Sequence, residues 1–248
     1  MMVNKIFMNM NLSMNTEEKR EGGFTLLELL IVVSIIAILS VALIFVLNPA
    51  ETLKKSRDAQ RISDLATLKN SLGIYTTSTT SPQLAGSSNT ACKTGAGVGT
   101  YGAGSKIYYS LAGVGGITDT TLDGGSVSVP AALQVSSTAL ALTDGTGWLP
   151  VNFDSLTSGS PISNLPLDPV NTVTTLSAVS GIAVGSVPPD YVYRYACNAT
   201  SLTYEIDAVL ESAAYTSDDN RMAKDGGNNA NYYEIGTNLK ILGAGTDF

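Results

Sequence analysis

Histidine is absent from all 248 residues. That removes the commonest general base, the commonest metal ligand and any Ser-His or Cys-His relay, and so counts against most hydrolytic chemistry at neutral pH. Cysteine is nearly absent too. Cys92 and Cys197 are far apart and in no metal-like spacing, which excludes a CxxC zinc or redox site. A single disulfide in an extracytoplasmic domain is the preferred reading, with two buried thiols as the alternative. Basic residues are scarce past Asn70, where only Lys93, Lys106, Arg194, Arg221, Lys224 and Lys240 face more than twice as many acids. With a net charge of −7, the globular part is not a nonspecific nucleic-acid binder.

Residues 24–47 lack Lys, Arg, Asp, Asn, Gln, Gly and Pro, and the only polar side chains among them are Thr25, Glu28, Ser34 and Ser40. As a helix this run measures about 36 Å, more than a hydrocarbon core of about 30 Å, so it spans a membrane once. A lone carboxylate, Glu28, sits inside it. An ionised group at that depth is costly unless paired, and it marks function by default. Residues 1–23 are polar, end in Gly22-Gly23 and read as a leader, with Met8, Met10 and Met14 as alternative starts.

Asn48-Pro49 predicts a kink or local break. Helical spacing then resumes, and Ile62, Leu65, Leu68, Leu72 and Tyr75 form a stripe that must pack on something. A helix over 24–75 follows, with its lower half, 24–47, in lipid. Residues 76–248 form a head. Within it, 76–147 is a Ser/Thr/Gly-rich variable region of loops and short strands. "YVYRYAC" (191–197) and "LTYEIDAVL" (202–210) alternate around a turn-forming "NATS", and "YYEIGTNLKIL" offers one more strand. The fold class is α+β: a long N-terminal helix packed on an antiparallel sheet with one apolar face.

The run "GFTLLELLIVVSIIAIL" resembles the class III signal of type IV pilins and of type II secretion pseudopilins. In that family a prepilin peptidase cleaves after the glycine and methylates the new amino terminus. The resemblance therefore implies processing between Gly23 and Phe24, and pairing of Glu28 with the α-amino group of Phe24 in a neighbouring copy during filament growth. It implies a pilin-like fold and a non-enzymatic subunit. The implied partners are copies of itself or related pilins, the prepilin peptidase, an inner-membrane assembly platform, and the cytoplasmic membrane before assembly. The implied location is the inner membrane, then an extracytoplasmic filament on the surface or across the periplasm. Lys54, Lys55, Arg57 and Arg61 follow the span while the leader has no net positive charge, so the positive-inside rule alone favours the opposite orientation. The cleavage signal, which needs a cytoplasmic leader, overrides it.

Lys54, Arg57 and Arg61 share one helix face. They are expected either to anchor at phospholipid headgroups or to meet the acidic head of a neighbouring subunit. "LPLDPVN" (165–171) is similar to the LPxDP segment that precedes the last strands of major pseudopilin heads. In "SDDNRMAKDGGNNAN", Asp218, Asp219, Asn220, Asp225, Asn228 and Asn229 offer oxygen ligands to calcium, which pseudopilin heads often hold nearby; a solvated turn cluster is the alternative. "GVGTYG" (97–102) fits GxGxxG but lacks the strand and helix that dinucleotide binding needs. The competing functional class is a single-span, membrane-anchored binding protein or enzyme, which would survive loss of Glu28.

Overall fold

The computed structural model describes residues 22–94, 105–110, 117–122, 125–129, 139–170 and 191–242. It comprises two compact units, Met1–Asn48 and Pro49–Phe248. The first carries helix α1, Leu26–Leu47. Thr25 caps it, and the apolar run supplies nothing that would break it. The helix ends at Asn48, which takes a left-handed conformation with φ 36°. Asparagine tolerates that region better than most residues. Pro49 then opens α2, Pro49–Ser78, where its missing N–H is no loss. The continuous helix expected over 24–75 is thus two helices, because the Asn48 backbone leaves the right-handed region.

The second unit is built on a four-stranded antiparallel sheet. Its strands are β1 (Tyr108–Tyr109), β4 (Tyr193–Asn198), β5 (Thr203–Ala208) and β6 (Tyr233–Gly236), in that spatial order. A separate hairpin pairs β2 (Ile117–Leu122) with β3 (Gly125–Val129). Of the "YYEIGTNLKIL" stretch, only Tyr233–Gly236 pairs as strand.

Strand alternation gives the sheet two different faces. Tyr193 lies opposite Ala208, Tyr195 opposite Ile206 and Cys197 opposite Tyr204. With Ile235 they form one apolar face. Against it α2 buries Leu65, Leu68, Leu72 and Tyr75; Ile62, the first residue of the expected stripe, is half-buried. Trp148 and Phe153 complete this core; Phe153 meets the edge of Tyr75 with ring centres 5.9 Å apart, and the Trp148 indole N–H donates to the Pro166 carbonyl at 3.0 Å. The other face carries Arg194, Glu205, Asp207 and Glu234, and all four are buried as well. The residues following β6 lie over it, Ile241 and Leu242 being buried with their N–H groups on Glu205. The expectation of a single apolar face is met on the α2 side, while the opposite side is a buried polar layer. A disulfide joins Cys92 to Cys197 of β4 across 105 residues. The architecture is α+β and pilin-like, with α2 as the helix laid on the sheet.

Candidate processing and assembly site

Gly22 and Gly23 precede α1 as exposed backbone outside any helix or strand, with no atom near either Cα where a side chain would project. Phe24 is exposed as well. Thr25 and Glu28 close a reciprocal capping box. The Thr25 hydroxyl accepts from the Glu28 N–H at 3.2 Å, and Glu28 Oε2 accepts from the Thr25 N–H at 2.9 Å and from its hydroxyl at 2.8 Å. Two otherwise orphaned donors at a helix start are satisfied by this exchange. The other carboxylate oxygen, Oε1, takes none of these bonds. Beyond the box, Ser34 and Ser40 return their hydroxyls to the carbonyls of Ile31 and Ile36, so α1 offers apolar surface on every side. Leu26–Ile44 is long and apolar enough to cross a membrane, and none of it is buried by protein.

The family model for the prokaryotic N-terminal methylation motif matches residues 19–44, the stretch that contains this capping box and most of α1. That motif is the hallmark of prepilins. The methylation motif, the single apolar N-terminal helix and the helix-on-antiparallel-sheet head fit the prepilin and pseudopilin family together. Comparison with curated proteins and with solved structures returns no match. Among the described residues, no group of three or more Cys, Asp or Glu side chains is arranged to hold a metal. Residues 1–21 of the expected leader, 1–23, and the "GVGTYG" segment lie outside the described residues.

Two residues of the basic stripe, Arg57 and Arg61, make contacts within the head. Arg61 is fully buried. Its Nε and Nη2 donate to both oxygens of Asp168 at 2.6 and 3.0 Å, and Nη1 donates to Asp58 at 2.7 Å and Glu211 at 2.8 Å. The guanidinium also lies 4.5 Å from the Tyr191 ring centre. Arg57 forks onto Glu211 at 2.6 and 2.7 Å. Asp58 accepts from the N–H groups of Glu211 and Ser212 and from the Ser212 hydroxyl. Burial would raise the Glu211 pKa, but the hydrogen bonds from Arg57 and Arg61 outweigh it and hold the carboxyl below its ordinary value. Arg57 and Arg61 therefore fasten α2 to its own head. Lys54 is half-buried, and Lys55 is exposed. The roles of Asp58, Asp168 and Glu211 were not apparent from the sequence; the one pointer was the aspartate of "LPLDPVN".

The loop acids do not converge either. Asp219 pairs with Arg221 and Lys224, both at 2.6 Å. The Asn220 amide oxygen accepts from the Ala223 N–H, and Asp218 is exposed. Asp225 turns away, accepting from the N–H groups of Gly227 at 2.8 Å and Glu234 at 2.7 Å. Asp218, Asp219, Asn220 and Asp225 thus make separate local contacts, Asp225 toward β6.

Proposed function

We propose that this chain is a structural subunit of a type IV pilin-like filament, matured by cleavage between Gly23 and Phe24 and by methylation of the Phe24 amine. The observation that carries the reading is the placement of Glu28. It is the only ionisable side chain of α1, and its capping box occupies a single oxygen. A carboxylate in hydrocarbon needs a cationic partner, and cleavage creates one: the α-amino group of Phe24 in a neighbouring copy lies at a similar depth. Methylation leaves that amine charged. The uniformly apolar surface of α1 suits first the lipid and then a bundle of like helices, while the disulfide-closed head faces the outside.

The partners follow from this reading: a prepilin peptidase, an inner-membrane assembly platform and further pilin copies. Intact mass and N-terminal sequencing of the protein from the surface fraction of its host test it. A chain beginning at N-methyl Phe24 is the expected result. A chain that keeps its leader, or one cut beyond α1, overturns it in favour of a membrane-anchored binding protein or enzyme.

A further inference from the structure

The buried residues of α2 fall into two groups. From Leu65 onward they are mainly apolar and pack on the sheet, whereas over 49–62 only Asp58 and Arg61 are buried. Leu53 is 60% exposed, and no apolar side chain of 49–61 is buried. The beginning of α2 is therefore joined to the head by polar groups.

Those groups interlock with a strap, residues 211–213, a few residues beyond β5. Asp58 of α2 accepts from the N–H groups of Glu211 at 3.0 Å and Ser212 at 2.7 Å and from the Ser212 hydroxyl at 2.6 Å. Glu51 accepts from the Ala213 N–H. In exchange, the Glu211 carboxylate takes Arg57 through both oxygens and Arg61 through one, and Arg61 adds Asp168 to the same network. Each side supplies a carboxylate to the donors of the other. Loss of one member alone strands a buried charge, which is strongly unfavourable, so partial opening is disfavoured. When the two segments separate completely, water takes over every bond, and the net loss is modest beside the gross strength of the bonds. No apolar side chain of 49–61 is uncovered by that step. Detaching Leu65, Leu68 and Leu72 instead exposes apolar surface, at a cost that grows with its area.

We propose that residues 49–61 and the strap 211–213 form a polar latch, which opens as one unit while the core from Leu65 onward stays closed. Proteins open locally in cooperative units of this kind. Opening frees the part of α2 that follows α1, and α1 can then change direction without unfolding of the head. Passage from a bilayer into a helical bundle calls for that freedom. This use rests on the filament reading, but the latch itself does not, since it lies wholly in the second unit.

The Glu211 and Ser212 amides report the latch directly, because their hydrogens are given to Asp58 and not to a neighbouring strand. Hydrogen exchange of the full-length chain in detergent micelles, resolved by NMR at pH 7, compares them with the amides of β4 and β5. They should be protected, but about tenfold less than the strand amides, and their exchange should rise less steeply with urea because little surface is exposed on opening. Arg57→Gln removes the forked bond to Glu211 from a position that is one-third exposed. It should speed exchange of the two strap amides about tenfold and leave β4 and β5 unchanged. If that variant does not fold, the comparison within the unsubstituted chain still decides. Strap amides that are unprotected, or that share the protection and urea dependence of β4 and β5, overturn the latch. So does an Arg57→Gln variant in which strap and strand amides accelerate together, or in which neither changes.

Discussion

Arg61 on α2 and Asp168 in the "LPLDP" segment form a two-pronged ion pair at 2.6 and 3.0 Å, both side chains fully buried and 107 residues apart in the chain. A planar guanidinium matches a carboxylate in this way and lysine does not. The pair fixes the first half of α2 against the 139–170 segment of the head. Removing only one partner leaves an uncompensated buried charge. Arg61→Ala is therefore expected to cost about 3 to 5 kcal/mol, seen as a lower urea midpoint of the Trp148 signal. Arg61→Lys should recover only part of that loss.

Glu211 gives the same junction a dependence on pH. Its carboxyl is held below the ordinary value by Arg57 and Arg61 against the opposing effect of burial. A group depressed in the folded state stabilises fully above its unfolded pKa, about 4.3 for glutamate, and that contribution disappears as pH falls through the folded value. Unfolding midpoints measured from pH 7 downward should stay level on this account until about pH 5 and then decline. In Glu211→Gln the head should be weaker at pH 7, and the decline below pH 5 shallower.

The parts legible in sequence are those set by local periodicity. Leu65, Leu68, Leu72 and Tyr75 recur at helical spacing and are buried. Tyr193, Tyr195, Tyr204 and Ile206 alternate and form the apolar face. The Asn48-Pro49 signal was also local, and of the kink or break it allows the structure has the break. Arg61 could not be read this way, because its carboxylates come from positions 168 and 211 and only the folded chain brings them together. Alternation did place Glu205 and Asp207 away from Tyr204 and Ile206. It could not tell that this second face would be covered, since that depends on how Ile241 and Leu242 return over the sheet. In the Asp/Asn/Gly loop, composition alone did not show that Asp219 pairs with cations five or fewer residues away.

The disulfide between Cys92 and Cys197 closes a loop that includes much of the variable region. In the chain-entropy model a loop of about 100 residues stabilises by roughly 4.7 kcal/mol, and measured values are often smaller. Reduction should lower the urea midpoint markedly, and the Cys92→Ala, Cys197→Ala double variant should match the reduced protein. Non-reducing peptide mapping should recover the two cysteines in one linked fragment.

Glu28 separates processing from assembly. Its capping box with Thr25 stabilises the first turn of α1. Glutamine at position 28 preserves most of that box, since its carbonyl oxygen can still accept from Thr25, but it removes the charge. On the filament reading Glu28→Gln should be cleaved after Gly23 and methylated like the parent chain, and yet be missing from sheared surface filaments. Mass spectrometry of the membrane fraction and immunoblots of the sheared fraction report the two steps separately. Filaments at parental abundance would remove the Glu28 to Phe24 pairing from the account, because the box alone asks for an acceptor and not for a charge.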